Sequence, residues 1–237
     1  MAREIFTLKQ AAEHIHLQAN ELKHFAQRGE IEAFERNGEW FFEHRTLDEW
    51  AQRDMLATGK KQLAARHREM MDENRKAEKK KWGVSNLFDL TSVSLCVTAK
   101  AKAGILRDMT DLAVKSGHVN DPDALFKELV AREEAAPTAI GQGVALLHPR
   151  FHDPYLFDET FIAYGRAERP VFFGAPNGEA TRHFFLVCST DHSIHMHILA
   201  RLAMLAHGTD LMEKLDEATE SEKIISIITE AESDYKT

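Results

Sequence analysis

Cysteine is almost missing from this chain: Cys96 and Cys188 are the only two in 237 residues. Each sits in an apolar, strand-like run, which excludes a disulfide framework and reads as reduced thiols in a core. No apolar run approaches eighteen residues, so no membrane insertion is expected. The opening residues, Met1 to Phe6, hold no long apolar segment of the kind that directs export. A cytoplasmic protein is the expectation. Hydrophobic residues make up 43% and charged residues 29%, enough to build a core in one or two domains. The formal charge of −8 is unevenly spread. Residues 1–60 carry eight basic against eleven acidic groups, 61–81 eight against four, and 82–237 fourteen against twenty-three.

Residues 1–54 read as a small unit of their own. Thr7 is placed to cap a helix with apolar positions Leu8, Ala11, Ala12 and Ile15, and Asn20 to cap a second carrying Leu22, Phe25 and Ala26. Gly29 suits a left-handed helix end. Ile31 to Phe42 reads as two strands joined at Asn37-Gly38, and Thr46 to Trp50 opens a third helix. Helix, turn, helix, small wing, helix is the layout of a winged helix-turn-helix. The unit resembles the excisionase/MerR-like module through Ala11-Ala12, Gly29-Glu30-Ile31, Ala33, Gly38 and Leu47 with Trp50. Asn20, Lys23, His24, Gln27 and Arg28 on the second helix, with Arg36 at the wing, are its candidate DNA contacts, since these types donate to phosphates and base edges. The acidic balance weakens duplex binding; a dimer and the basic segment that follows would restore it.

Residues 55–84 turn polar and basic, with no proline and, up to Trp82, one glycine, Gly59. A charged, helical linker is expected. Its alternatives are an arm touching phosphate backbone or a helix pairing two protomers into a homodimer; Leu56, Leu63, Met70 and Met71 are too sparse for a coiled coil.

From 85 to 237 strands and helices mix. Strands are expected at Val93–Val97, Val144–Leu147, Thr160–Tyr164 and His183–Cys188. Helices are expected at Ala103–Lys115, at Asp123–Ala131 entered through Asp121-Pro122, at His192–His207 and at Ser221–Ala231. This mix fits an α/β sandwich. The most informative stretch is Gly141-Gln142-Gly143-Val144-Ala145-Leu146-Leu147-His148: a glycine-punctuated turn, a short apolar strand, and a histidine at the strand's end. Rigid placement suits a nucleophilic imidazole. Arg132-Glu133 lies upstream, and His195-Met196-His197-Ile198-Leu199-Ala200 follows on a helix.

In order and spacing these segments, together with Pro170 to Gly174 and Asn177-Gly178, resemble the fructose/mannitol and nitrogen-regulatory type of enzyme IIA domain of the bacterial phosphotransferase system. Leu147 stands where that family usually has proline, and Asn177 where it usually has aspartate. The resemblance implies a sandwich with a mixed central sheet flanked by helices. It implies that His148 is phosphorylated by the phosphohistidine carrier HPr, and that His195 and Arg132 orient and hold the phosphoryl group. Gly141 and Gly143 are assigned to the backbone of the phosphate site, and no cofactor is implied. His152, His183, His192, His195, His197 and His207 complete no recognisable zinc pattern, and no metal is expected; Arg150, Asp153 and Asp191 are rim candidates only.

Three functions follow. The first is a cytoplasmic regulator in which phosphorylation of His148 changes how the N-terminal module meets DNA or a partner protein. The second is a phosphoryl carrier feeding the IIB subunit of a sugar transporter. The third is a IIA domain that no longer turns over and serves as a protein-binding scaffold.

Overall fold

The computed structural model describes residues 5–15, 17–57, 83–150 and 155–235, those at 55–57 without their side chains. The linker reading of 55–84 falls almost wholly outside these residues, as do His152 and Asp153. Two compact units emerge, Met1–Glu73 and Asn74–Thr237.

In the first unit β1 (Ile5–Thr7) leads into α1 (Leu8–His14), α2 (Ala19–Gln27), β2 (Phe34–Arg36), β3 (Glu39–Glu43) and α3 (His44–Ala57). Thr7 and Gln10 close a reciprocal capping box, Thr7 Oγ1 accepting from Gln10 N and Gln10 Oε1 from Thr7 N. Such a cap stabilises by about 1 kcal/mol. The expected cap at Asn20 does not form. α2 starts two residues earlier than that cap requires, at Ala19; Gln18 is its N-cap without a side-chain bond, and Asn20 lies within the first turn. The strands pair antiparallel in the order β1-β3-β2. Asn37 and Gly38 both take positive φ, 54° and 81°, as a two-residue hairpin of right-handed twist requires. Ala11, Ala12, Leu22, Ala26, Phe42, Leu47 and Trp50 form the core.

The second unit opens with a 3-10 turn, Val84–Leu87, whose Val84 and Ser85 amides donate to the Glu232 carboxylate. There follow β4 (Phe88–Val97), α4 (Lys102–Val114), α5 (Pro122–Ala135), β5 (Ala139–Gly141), β6 (Val144–Leu147), β7 (Phe161–Val171), β8 (Thr181–Cys188), α6 (His192–Gly208), α7 (Leu211–Glu217) and α8 (Ser221–Asp234). The strands order as β4-β7-β8-β6-β5. β4 runs parallel to β7 and β6 to β8, while β7 with β8 and β5 with β6 are antiparallel. The sheet is therefore mixed.

Residues of β8 alternate between two cores. Phe184, Leu186 and Cys188 join Ala145 and Leu147 of β6 against α4 and α5. Phe185 and Val187, equally buried, face the other way, and α6 packs on β8 and β6. A strand covered on both faces reads as an unbroken apolar run, and Phe184 to Cys188 is one. Removing either phenylalanine to alanine would cost about 3–5 kcal/mol. β4 and β7 are longer than expected, because the hydrophobic runs mark only the C-terminal half of β4 and the N-terminal half of β7. β7 continues through Glu168, Arg169 and Pro170, whose exposed side chains hide the strand from a pattern search.

Candidate functional site

β6 and β8 are parallel neighbours, with Leu147 opposite Leu186, so both end on the same side of the sheet. His148 is the first residue past the end of β6. His195 lies in the first turn of α6, which leaves β8 through Ser189, Thr190 and Asp191. Asp191 fixes that helix start by accepting from Ile194 N at 2.9 Å. The two imidazoles meet edge to face, centroids 5.0 Å apart at 67°, and both are fully buried.

Arg132 arrives from the last turn of α5, also buried. Its Nε donates to His148 Nε2 at 2.9 Å and its Nη1 to the Ala136 carbonyl at 2.8 Å. The second bond satisfies a carbonyl at the helix end and locks the guanidinium. His148 Nδ1 lies 2.8 Å from the Leu146 carbonyl, which can only accept, so Nδ1 carries the proton. Nε2 therefore holds the lone pair, facing a cation. One backbone oxygen and one guanidinium thus fix tautomer, ring direction and charge. Such an imidazole is a nucleophile at Nε2, and the cation beside it can take the charge of an incoming anion.

Glu133 turns away from the imidazole. Its Oε1 accepts from Lys102 Nζ at 2.7 Å, and its Oε2 accepts from Thr138 N at 2.9 Å and Thr138 Oγ1 at 2.7 Å. The pair therefore divides its work: Arg132 meets His148, and Glu133 pins the connection from α5 to β5. The Thr138 carbonyl in turn accepts from Leu146 N at 3.0 Å. Lys102, Thr138 and the Leu146 carbonyl were not legible as site neighbours, since their contacts run through backbone atoms or a single buried carboxylate.

Gly141 and Gly143 are not brought to the imidazole. They form the β5–β6 turn, at the opposite end of β6 from His148, roughly 16 Å away for five extended residues. Gly141, Gln142 and Gly143 all take positive φ, 87°, 54° and 70°. Gln142 N donates to Glu179, and a Cβ on Gly141 would meet Asn177 Nδ2 at 3.3 Å. The glycines shape the hairpin that aims β6. Leu147 is buried against the α4–α5 core, and the strand holds without the usual proline.

Other histidines scatter. His183 lies at the glycine-turn end, its Nδ1 accepting from Tyr164 O–H at 2.8 Å and its Nε2 3.4 Å from Asp216. Burial pushes its pKa down to about 4 and that of Tyr164 well up. His207 lies in the last turn of α6. On α2, Asn20, His24 and Gln27 are exposed and Lys23 half-buried; Arg28, the C-cap of that helix, and Arg36, on β2, are exposed. Arg28 is held by Glu30 through two bonds, Nε to Oε1 at 2.6 Å and Nη2 to Oε2 at 3.2 Å. Its charge is thus already compensated.

The C-terminal unit is similar to known proteins in sequence and in fold. The fructose-specific EIIABC component of Bacillus subtilis is 26% identical over 149 residues, covering 62% of this chain but only 23% of that longer protein. The fructose-specific EIIA component of Haloferax volcanii is 28% identical over 149 residues, covering 62% of this chain and 95% of that one. Among solved structures, the nitrogen regulatory protein IIA-Ntr of Neisseria meningitidis superposes with a TM-score of 0.55 at 23% identity, over 61% of this chain and 98% of that one. Among the described residues no helix is long and apolar enough to cross a membrane. Residues 86–231 match the family described as phosphoenolpyruvate-dependent sugar phosphotransferase system, EIIA 2, and the chain belongs to that enzyme IIA family.

Proposed function

We propose that this chain is a cytoplasmic phosphoryl-accepting regulator whose acceptor atom is His148 Nε2. The observation that carries the reading is the fixed lone pair on that nitrogen, opposed by the Arg132 guanidinium in a fold of the enzyme IIA type. The donor is a phosphohistidine carrier of the HPr kind. Its N–P bond breaks, its imidazole leaves with the electron pair and takes up a proton, and the His148 Nε2 lone pair forms the new N–P bond. His148 keeps its Nδ1 proton on the Leu146 carbonyl throughout. Arg132 exchanges the nitrogen for a phosphoryl oxygen as the group arrives, and His195, packed against the acceptor ring, orients it. Positioning and charge stabilisation suffice for such a transfer.

The family match begins at residue 86, so residues 5–57 lie outside it. Their order of helices and hairpin supports a winged helix-turn-helix reading, with Asn20, Lys23, His24, Gln27 and Arg36 facing a duplex. Phosphorylation adds about two negative charges to the C-terminal unit and would change how the N-terminal module engages DNA or a regulatory protein. A second reading, a carrier feeding a transporter's IIB subunit, is favoured by the relatives named for fructose systems.

The test is phosphoryl transfer from a phosphorylated HPr-type carrier, read by intact mass on wild type and H148A. One acid-labile phosphate on wild type alone supports the proposal. No label on wild type, with a competent IIA acceptor labelled in the same tube, overturns it. Salt-sensitive duplex binding that changes between the two phosphorylation states separates regulator from carrier.

A further inference from the structure

The expectation of no metal weighed only the histidines of the C-terminal unit, whereas the notable grouping lies in the N-terminal one. His14 ends α1, and His44 and Asp48 stand four residues apart at the start of α3, on one helix face. One ligand atom from each lies within 4.8 Å of the other two. His14 Nε2 is 2.7 Å from Asp48 Oδ1, and His44 Nε2 is 3.4 Å from Asp48 Oδ2. The imidazoles meet edge to face, centroids 4.8 Å apart, and Phe6 of β1 packs against both, at 5.1 Å and 4.9 Å. Asp48 is buried and the histidines are half-buried, so the cluster is open on one side.

We propose that His14, His44 and Asp48 form a binding site for a divalent transition-metal ion, zinc above all. Three ligands with metal bonds near 2.05 Å in tetrahedral array stand about 3.3 Å apart. The separations of 2.7 Å and 3.4 Å, one to each oxygen of Asp48, bracket that value, and one ligand atom from every member lies within 4.8 Å of the other two. Two imidazoles and one carboxylate suit zinc and its neighbours, whereas magnesium and calcium take oxygen-only shells. Three protein ligands leave a fourth position for water, as in open zinc sites. Phe6 supplies the apolar wall that fixes both rings and keeps solvent to one side. The metal-free state has Asp48 receiving an imidazole N–H from His14, and loading replaces that proton with the ion. Once bound, the ion ties α1 to α3 across β1, joining elements thirty-four residues apart in sequence. It would stiffen the unit that carries the proposed DNA-facing helix, although the site itself does not depend on DNA binding.

The experiment uses the full chain freed of metal by chelation, titrated with Co2+ and then Zn2+. The expected result is one ion per chain, with the intense visible absorption of tetrahedral Co2+ abolished by Zn2+. H14A and H44A should each weaken binding by more than about tenfold, the scale on which even outer-shell losses act. H118Q, in the other unit, should bind as wild type does. D48N retains the size of the side chain, and circular dichroism identifies any variant that fails through unfolding. The inference is overturned if wild type binds Co2+ no tighter than D48N, or if the tetrahedral signal survives in H14A, H44A and D48N alike.

Discussion

Two histidine pairs, one in each unit, share a ring geometry and differ in what faces their nitrogens. His148 and His195 meet at 5.0 Å and 67°, His14 and His44 at 4.8 Å and 76°. In the C-terminal pair the lone pair of Nε2 faces a guanidinium, and a backbone carbonyl holds the opposite proton. In the N-terminal pair both Nε2 atoms face one carboxylate. The first surrounding prepares a place for an anion, the second for a cation. Imidazole chemistry here is decided by its neighbours, and burial sharpens the decision by raising the cost of any mismatched charge.

Replacing Arg132 should break the contrast most severely. R132A is expected to slow phosphoryl transfer to His148 by about 10²–10³, the usual loss for one pre-aimed donor at a site of developing charge. R132K keeps the charge but not the planar fork, and should recover only part of that loss. Rapid-quench transfer from the phosphorylated carrier measures both; transfer at the wild-type rate in R132A would leave the guanidinium structural only.

The next effect tests whether burial governs the third type of histidine surrounding. His183 is held near pKa 4 in the folded state, mainly by desolvation, against about 6.5 unfolded. Between those values the unfolded chain binds the proton and the native chain does not, so stability falls as pH drops from about 6.5 to about 4. The loss reaches at most about 3 kcal/mol. Denaturant midpoints across this range should slope less in H183Q than in wild type, and parallel slopes would remove His183 as their source.

Smaller still is the expected cost of G143A. A Cβ there meets nothing closer than the Ala180 carbonyl at 3.9 Å, so the cost is conformational, about 1–2 kcal/mol for a φ of +70°. Transfer to His148 should be unchanged, because the turn lies at the far end of β6. A slowed transfer in folded G143A would place the turn back in the site. D48N should cost a similar amount in metal-free protein, about 1–2 kcal/mol for a buried carboxylate whose imidazole contacts are weakened, with phosphoryl acceptance untouched. Thermal melts beside the transfer assay read both quantities.

The chain's local signals carried much of this. Thr7, Gly29, Asn37-Gly38 and Asp121-Pro122 mark helix and hairpin ends by chemistry that acts within a few residues, and each stands where such chemistry places it. The meeting of Arg132, His148 and His195 was legible through the order and spacing of the segments that resemble the enzyme IIA family. What periodicity could not carry was anything set by a distant backbone atom or a single pair of side chains. The Leu146 carbonyl that selects the tautomer leaves no mark in a residue pattern. Nor does the Glu133 brace to Lys102 and Thr138. The glycines drew attention to the right strand but to its wrong end, since strand length separates a turn from the residue it aims. Asn20 failed as a cap because α2 begins at Ala19. His14, His44 and Asp48 come together only through folding, with no motif to announce them.

The most direct measurement is the position of the phosphate on the ring, by 31P and 15N NMR of the chain after transfer from a phosphorylated carrier. A single phosphohistidine on His148, bonded through Nε2 with Nδ1 still protonated, is the predicted result. A phosphate on His148 Nδ1, or on any other histidine, would contradict the assignment of the acceptor nitrogen.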